Sequence, residues 1–558
     1  LRRMQLMLDH LDPNDIQDLE QARQAIIQVL NLVEELAAAM SALREENQRL
    51  RDENNRLKGE QGKPTIKPGR KPRSSQASDH SSEPERRCRK KRTRRSKVNS
   101  IAIDREEKLH LDHAQLPDDA EFKGYEPVIV QDVRLTTDNI RFLKEKCYSP
   151  SQRQSYLAEL PAGYKGEFGP GVRALTIVLY HMVNTSESKI VEFFEHIGVQ
   201  ISSGQVSNLL IKEQDPFHDE KDAVYEAGLR SSPWHHMDDT GTRVNGVNQH
   251  CQVVCGPLYT MYCTTEKKDR LTALDVLTNF RPRSYLLNDE TYTWLQQIGM
   301  AERVIEQLRQ LPQDQTLNED QFTSLVAKYG LALGAQQQSR VWEAAAVTAY
   351  HAQQEWPVVE LLLTDDAPQF KRLTADQGLC WVHDARHYNK LAPSVAYYRK
   401  LHTQFMKRYW TFYGQLLAHR LDPTAENAAQ LESEFDELFS TQTGYVGLDR
   451  RIEMTRAKKQ PLLAVLRHPE IPLHNNPAEI EMRRRVRKRD VSFGPRTEDG
   501  KRAWDTFSTL AATTKKLGVS FYCYIYDRIS GANHIPYLAD LIEQRSQQLH
   551  LGASWVAA

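Results

Sequence analysis

The chain has 558 residues, and at roughly 150 residues per domain this length predicts three or four domains. Its 74 Lys and Arg balance its 74 Asp and Glu, and hydrophobic residues make up 40% of the chain, enough for sizeable cores. Inspection finds no apolar run of spanning length and no signal peptide, and seven cysteines form no disulfide framework, so we expect a cytoplasmic protein with no membrane partner.

Residues 1–60 contain a heptad pattern of apolar side chains. Positions spaced by seven carry Val29, Leu36, Leu43, Leu50 and Leu57, and the residues three positions earlier are Ile26, Val33, Met40, Asn47 and Asn54. These are the d and a positions of a coiled coil, and Asn at a favours a defined register, commonly a parallel dimer. We predict a dimerisation helix, with a long amphipathic helix packed on its own protein as the alternative.

Residues 61–100 form a segment rich in Pro, Ser and charge, which is typical of a disordered linker. Its basic run provides candidate DNA contacts at Arg89, Lys90, Lys91, Arg92, Arg94 and Arg95. Such a run can displace counterions from a phosphate backbone, whereas the alternative is a solvated tail. The run follows the zipper beyond several prolines, which argues against a bZIP protein.

Residues 101–170 predict a small β-rich module, and residues 171–230 predict a helical DNA-binding region. Within the latter, two short amphipathic helices with Gly198 at the turn between them resemble a helix-turn-helix, and Ser202 or Ser203 would cap the second helix. The candidates for contacting base edges are Ser203, Gln205, Ser207 and Asn208. The alternative is an ordinary helical domain.

Three further segments carry carboxylates at the ends of predicted elements. Residues 234–264 predict three short strands, and Asp238 lies in the first. The apolar run 357–370 predicts a buried strand that delivers Asp365, residues 379–386 predict another strand, and residues 474–495 predict a basic helix that carries Glu479.

Three carboxylates from two strands and a helix suit phosphoryl transfer with two Mg²⁺ ions, because Mg²⁺ prefers hard oxygen ligands. We therefore assign Asp238, Asp365 and Glu479 as candidate catalytic residues and metal ligands. Glu481 is the fallback for Glu479, and only one of the two can face the site because two residues correspond to about 200° around a helix. The arginines near Glu479 would hold DNA phosphates.

These motifs resemble the insertion sequence 66 family of bacterial DDE transposases. HMDDTG places Asp238 at the first acid of the family, TDDAPQF places Asp365 at the second, and HNNPAEIEMR places Glu479 at the third. The candidate DNA contacts that follow are Arg483, Arg487 and Lys488. The resemblance runs from about residue 170 to about residue 530.

The resemblance implies a multidomain α/β protein with an RNase H-like catalytic core. The expected divisions are a coiled coil at 1–60, a basic linker at 61–100, a β-rich module at 101–170, a helix-turn-helix-like DNA-binding region at 171–230, the core at 231–285, 355–386 and 474–530, helical insertions at 286–354 and 387–473, and a C-terminal tail at 531–558. In related transposases an insertion like the second covers the active site or contacts DNA ends, and a structural packing role is the alternative.

The resemblance also implies a DNA transposase that cuts at the ends of an insertion element and joins them to target DNA. Mg²⁺ would be its cofactor, with Mn²⁺ as a substitute. Its partners would be the terminal inverted repeats, target DNA, a second copy held by the coiled coil, and accessory transposition proteins, all at the bacterial nucleoid.

The chain departs from the family pattern in two places. The family has a zinc ribbon between linker and helices, but residues 101–170 offer only Cys147 with His110 and His113, so we predict no zinc. Asp239 stands where the family has Glu. The alternative functions are an inactive or domesticated relative that binds DNA as a dimer, and a general RNase H-like nuclease.

Overall fold

The computed structural model describes residues 18–57, 101–112, 122, 124–133 and 135–556. The predicted linker at 61–100, with its six candidate DNA contacts from Arg89 to Arg95, lies outside these residues, as does His113. The described part of the chain is a mixed α/β protein with one five-stranded sheet and many helices.

Helix α1, Leu19–Leu57, occupies the segment with the heptad pattern. It begins after Asp18, whose Oδ1 accepts a hydrogen bond from the amide of Gln21 at 2.7 Å. By length and composition its stretch Leu19–Asn54 could cross a membrane, which inspection of the sequence did not predict. This is a weak indication, because Glu34 in the middle of the helix is buried against the rest of the protein.

A β-hairpin is the regular structure among the described residues of the predicted β-rich module. Strands β1, Lys146–Ser149, and β2, Gln154–Leu157, pair antiparallel, and Cys147 is exposed. The module is thus less β-rich than its alternating sequence predicts, because its apolar side chains are mostly exposed and bury little surface.

Four helices follow: α2, Pro170–His181; α3, Glu187–His196; α4, Ser203–Ile211; and α5, Asp215–Arg230. Gly198 adopts a left-handed conformation (φ +85°) after α3, where a residue with a side chain would be strained. The Ser202 side chain caps α4 by accepting from the amide of Gln205 at 3.2 Å.

The three predicted strands are β3, Trp234–Val244; β4, Val247–Cys255; and β5, Thr260–Thr265, and they pair antiparallel. Asn245 and Gly246 join the first two, and both have positive φ, as a type I′ hairpin turn requires. Helix α6, Arg270–Leu277, then begins after Asp269, which caps it through the amide of Thr272.

The segment predicted as the first insertion contains mainly helices. It contains β6, Ser284–Tyr285; α7, Asp289–Gln297; α8, Glu302–Arg309; β7, Leu317–Asn318; α9, Glu319–Lys328; and α10, Ala335–Ala352. The sequence Asp289-Glu290-Thr291 has the composition of part of the first-acid motif, but it forms the first turn of α7, where Asn288 caps the helix. It therefore resembles the HMDDTG motif in composition only.

Strand β8, Leu361–Thr364, is the predicted buried strand, and β9, Asp376–Leu379, follows it. The prediction of a strand at 379–386 is wrong beyond Leu379, because helix α11, Trp381–Asn389, occupies that segment. Its start is fixed by Cys380, whose Sγ accepts from the amide of His383 at 3.4 Å.

The strand order of the sheet is β5-β4-β3-β8-β9. β3, β4 and β5 are antiparallel, whereas β8 and β9 run parallel to β3. Along β3, Trp234 packs on one face and Met237 on the other, and in β8 Leu361 and Leu363 share the face of Trp234. Asp238 and Asp365 continue this alternation on the face of Trp234.

The second insertion packs on that face. Its helices are α12, Ala396–Leu421; α13, Ala425–Phe439; α14, Val446–Arg456; α15, Lys459–Leu462; and α16, Ala464–Arg467. The indole of Trp381 lies at the centre of its aromatic core, against the rings of Tyr409, Phe412 and Phe439.

The chain closes with α17, Asn476–Ser492; α18, Glu498–Lys516; α19, Phe521–Ser530; α20, Leu538–Leu549; and α21, Ala553–Val556. Helix α17 crosses β3 and β4, whereas α18 runs along the edge strand β5. Three α18 side chains spaced by four residues, Asp505, Thr509 and Thr513, accept hydrogen bonds from β5 amides at 2.8–3.2 Å. The two spacings agree because four residues of a helix rise about as far as two residues of a strand. These hydrogen bonds occupy the outward amides of the edge strand β5, which would otherwise be free to pair with another strand.

Candidate active site

The three carboxylates selected from the sequence line one cavity. The β3–β8 register aligns His236 with Leu363, and continuing it by two residues brings Asp238 level with Asp365 on the neighbouring strand. Glu479 lies in the first turn of α17, which crosses β3. The cavity has a volume of about 750 Å³ and is lined by Asp238, Asp239, Thr240, Asp365, Cys380, His383, Arg386, Asn475, Glu479, Met482, Arg483, Val486 and Arg487.

Asp238 is the carboxyl group that burial perturbs most in this cavity. Desolvation raises its pKa from 3.8 to about 7, with a further rise from the negative charges of Asp365 and Glu479, although the amide of Asp239 donates to it at 2.9 Å. Burial also raises the pKa of Asp365, despite a hydrogen bond from the amide of Ala367. Like charges gathered in a buried cavity favour a cationic occupant.

Arginines hold Glu479. The Nη2 of Arg386 lies 2.8 Å from its Oε2, and Arg483, one turn later on α17, approaches the same oxygen to 3.5 Å. Glu479 is mostly buried, whereas the Arg386 side chain is 40% exposed. The third carboxylate thus lies in the cavity with its charge already paired.

Two further carboxylates stand beside the predicted acids. Asp239 approaches the ammonium of Lys268 to 3.4 Å, and Asp366 bonds Lys458 at 2.5 Å and Lys371 at 3.2 Å. Burial alone would raise the pKa of Asp366, but the two lysines outweigh it and lower the pKa. Each aspartate next to a candidate ligand is therefore neutralised by lysine.

Asn475, which sequence reasoning did not single out, connects the start of α17, which carries Glu479, to β3, which carries Asp238, and to the start of α11. Its Nδ2 donates to the carbonyl of Met237 in β3 at 2.9 Å, and its amide donates to the Sγ of Cys380 at the start of α11. Its Oδ1 accepts from the Nδ1 of His236 at 2.9 Å, and burial lowers the pKa of that imidazole to about 3, so it is neutral. The quoted HNNPAE motif contains Asn475, but its role depends on contacts with distant residues.

Comparison with known proteins agrees with these motifs. The model of the Transposase IS66 family matches residues 324–503, about a third of the chain, a segment that contains Asp365 and Glu479 but not Asp238. A Sinorhizobium fredii (strain NBRC 101917 / NGR234) protein named "Uncharacterized protein y4jO" is 31% identical over 306 residues, covering 55% of this chain and 94% of that protein. The chain belongs to the IS66 transposase family. No solved structure matches it.

The geometry distinguishes the two glutamates of the family's third motif. Glu479 lines the cavity, whereas Glu481 is buried against the sheet, where its Oε2 accepts from the hydroxyl of Tyr262 at 2.7 Å and pairs with Arg484 at 2.8 Å. The fallback residue is therefore committed to packing, and Glu479 is the glutamate that faces the cavity.

The predicted DNA contacts that lie among the described residues divide into three groups. Arg483 and Arg487 line the cavity. The prediction that Lys488 contacts DNA is corrected, because its side chain is 4% exposed and does not reach the surface. Its ammonium donates to the carbonyl of Tyr180 and lies 3.3 Å from the centre of the Tyr180 ring. On α4, Ser203 is exposed and Gln205, Ser207 and Asn208 are partly exposed.

The cysteines near the cavity pack rather than converge on a ligand position. Cys251 and Cys255 are fully buried in a small cluster with Val253, Ala478 and Met482, between β4 and α17. Within the described ranges, no group of three or more His, Cys, Asp or Glu side chains is arranged to hold a metal ion. The three candidate acids share the cavity without converging on one point, since Glu479 is turned to its arginines.

Proposed function

We propose that the chain is a DNA transposase that cuts the ends of an insertion element and joins them to target DNA. The observation that carries this proposal is the meeting of Asp238, Asp365 and Glu479 in one cavity rimmed by Arg483 and Arg487. Carboxylates that gather a divalent cation beside arginines that bind phosphate are the groups that phosphoryl transfer on DNA requires.

An RNase H-like core is the second part of the proposal. Three antiparallel strands followed by two parallel ones, with the first acid on β3 and the second directly after β8, support it. The two helical insertions then lie between the first and second acids and between the second and third.

The donor set fits Mg²⁺, with Mn²⁺ as a substitute. Asp238, Asp365 and Glu479 supply hard carboxylate oxygens, and the raised pKa of Asp238 reflects negative charges that a cation would neutralise. When bound, the two metal ions would activate the attacking oxygen and stabilise the leaving oxygen. Glu479 must first exchange its ion pair with Arg386.

The protein's own side chains would do the rest by binding and orientation. Arg483 and Arg487 would hold phosphates of the DNA at the rim of the cavity, bidentately where the backbone allows. Asn475 would hold β3 and α17, which carry Asp238 and Glu479, in register with each other and with the start of α11. The exposed part of α4 and the basic run at 89–95 would bind the DNA outside the cavity.

The test is cleavage of DNA that carries the flanks of the protein's own gene, with Mg²⁺ and with Mn²⁺. We expect nicking at the element boundary that Asp365→Asn abolishes. Asp366→Asn is the matched control, because this neighbouring carboxylate pairs with Lys458 and Lys371 outside the cavity, so that variant should retain cleavage.

A second candidate function, DNA binding without cleavage by an inactive relative, predicts a different outcome. The intact protein would then bind the flanks specifically but cut in neither metal, and Asp365→Asn would bind equally well. Cleavage that survives Asp365→Asn would contradict the assignment of the site.

A further inference from the structure

Phe493, the residue that follows α17, is an exposed aromatic residue in a strained backbone conformation. It is 86% exposed, and its backbone is left-handed (φ +60°, ψ 8°), a conformation that glycine adopts freely and a bulky residue does not. Its amide ends the helix by donating to the carbonyl of Arg489 at 2.8 Å, a role that usually falls to glycine. Because the ring buries little surface, folding gains little from it, and a strained exposed side chain points to a role in binding.

The loop that carries Phe493 is fastened to the hairpin between β3 and β4. The carbonyl of Pro495 accepts a hydrogen bond from the amide of Asn245 at 2.9 Å. A Cβ atom at Gly494 would collide with the carbonyl oxygen of Arg243, so the loop backbone lies directly against β3. The ring is therefore held in a fixed position relative to the strand that carries the first candidate acid.

Exposed or partly exposed arginines lie between the cavity and this loop. They are Arg483 and Arg487, which line the cavity, and Arg243, Arg489 and Arg496. Asp490 lies among them, and its carboxylate approaches the Nε of Arg489 to 3.9 Å. Arginines predominate over this stretch, which suits contact with a phosphate backbone.

The same loop also reaches α4, the second helix of the predicted helix-turn-helix. A Cβ atom at Gly500, in the first turn of α18, would lie 3.9 Å from the side chain of Ile211 at the end of α4. At the start of α3, burial raises the pKa of Glu187, whereas the charge of Arg496 and a hydrogen bond with Ser207 lower it, so these three side chains lie together. DNA that contacts both α4 and the cavity would therefore pass this loop.

We propose that the ring of Phe493 stacks on a base of the element-end DNA, between the part that α4 contacts and the phosphate held in the cavity. The inference rests on the proposed function, because it takes DNA as the bound substrate. An aromatic ring can stack on any base, and the arginines beside it would hold the neighbouring phosphates. From Asp238 to Arg243, β3 rises about 17 Å, which corresponds to about five base pairs of duplex DNA. The stacked base would thus lie about five nucleotides from the phosphate that is cut.

The primary experiment measures the affinity of the full chain for a fluorescein-labelled duplex that carries the flank of the protein's own gene. Fluorescence anisotropy without divalent metal reports binding alone, because no cleavage takes place under these conditions. Phe493→Ala should bind about five- to 150-fold more weakly than the unaltered chain, which is the contribution of one base stacked on an aromatic side chain. Equal affinity of the two proteins overturns the inference.

The matched control is Phe280→Ala. Phe280 follows α6 with a similar φ of +58° and is 52% exposed. Its neighbours Leu277 and Arg281 contact Trp356, which precedes β8, so Phe280 lies at the end of the sheet opposite the cavity. This variant should bind the duplex as the unaltered chain does. A loss equal to that of Phe493→Ala would mean that any exposed phenylalanine has this effect, and it overturns the inference.

Phe493→Gly separates contact with DNA from folding. Glycine suits the left-handed conformation at the end of α17, so this variant should unfold at the same urea concentration as the unaltered chain or at a higher one. It should nevertheless bind the duplex as weakly as Phe493→Ala. A marked loss of stability would mean that the ring serves packing, and it overturns the inference.

The position of the stacked base is tested with duplexes that each carry one mismatch within about ten base pairs, one helical turn, of the element boundary. A mismatch lowers the free energy needed to unstack a base. It should therefore tighten binding of the unaltered chain at about the fifth position and leave the affinity of Phe493→Ala unchanged. Equal effects of the mismatches on both proteins overturn the inference.

Failure of this inference is distinguishable from failure of the proposed function. If Phe493→Ala binds and cuts the duplex as well as the unaltered chain, the stacking contact is wrong and the transposase activity stands. If the unaltered chain binds through Phe493 but cuts with neither Mg²⁺ nor Mn²⁺, the contact stands and the catalytic proposal is wrong. An unaltered chain that does not bind the duplex overturns both.

Discussion

Asp238→Asn should abolish cleavage and yet make the metal-free protein more stable at neutral pH. The native carboxylate is buried beside Asp365 and Glu479, so ionising it in the folded chain is unfavourable. Asn has nearly the same shape and carries no charge. The substitution therefore removes an electrostatic cost that the site carries for its function.

The magnitude follows from the pKa. Its rise from 3.8 to about 7 corresponds to roughly 4 kcal/mol in favour of the neutral acid in the folded chain. Because the folded-state pKa of Asp238 lies above the unfolded value, its contribution to stability is fully present below pH 3.8 and is lost as the pH rises to about 7. Between about pH 5 and pH 8, the unaltered chain should lose roughly 2–3 kcal/mol relative to Asp238→Asn.

The assay is urea unfolding followed by tryptophan fluorescence, without metal, at pH 5 and pH 8. Asp366→Asn is the control, because the pKa of Asp366 is shifted in the opposite direction to that of Asp238. The lysines lower the pKa of Asp366, so its ionised form contributes fully to the stability of the folded chain at both pH values. Asp366→Asn should therefore destabilise the chain equally at both pH values. A stability difference between Asp238→Asn and the unaltered chain that does not change from pH 5 to pH 8 would refute the reasoning. Added Mg²⁺ at pH 8 should stabilise the unaltered chain more than Asp238→Asn.

Three further predictions concern charged groups. Arg386→Gln should tighten Mn²⁺ binding in calorimetric titration without DNA by about fivefold, because Glu479 loses a partly exposed ion pair worth about 1 kcal/mol; unchanged affinity would contradict this. Asp505→Ala should lower the free energy of unfolding by roughly 3–5 kcal/mol, because it leaves the buried guanidinium of Arg485 without its carboxylate, and a loss below about 1 kcal/mol would count against it. The free energy of unfolding of Lys488→Met should rise by roughly 2–3 kcal/mol relative to that of the unaltered chain as the pH falls from about 9 to about 7, because burial lowers the lysine pKa to about 6. Urea unfolding at both pH values measures this difference, and a difference that does not change with pH would rule the prediction out.

Local pattern was sufficient for the elements that carry the site. Alternation over residues 234–264 predicted three short strands, and Asn245 and Gly246, which join the first two, both have the positive φ that a type I′ turn needs. The apolar run before Asp365 predicted the buried strand β8, and the motif around Glu479 predicted the start of α17. These features depend on residues that are neighbours in the chain, so the elements that carry the three acids could be predicted from the sequence alone.

Contacts between distant residues decided which face of each element is buried. Residues 379–386 alternate enough to predict a strand, but Cys380 caps a helix there, and the Trp381 indole lies in the aromatic core of the second insertion. Lys488 belongs to a basic run that predicts a DNA-facing helix, yet its side chain turns inward to Tyr180.

Helix α1 shows both what the sequence determines and what only the tertiary structure decides. The heptad spacing of its apolar residues is a property of the sequence, and it predicted both the helix and the face on which its apolar side chains lie. That Asn31 and Glu34 cap the second insertion was decided only by the tertiary structure, because the amides they bind belong to residues some 360 and 415 positions later. Periodicity specifies a face, whereas the partner of that face depends on where the rest of the chain folds.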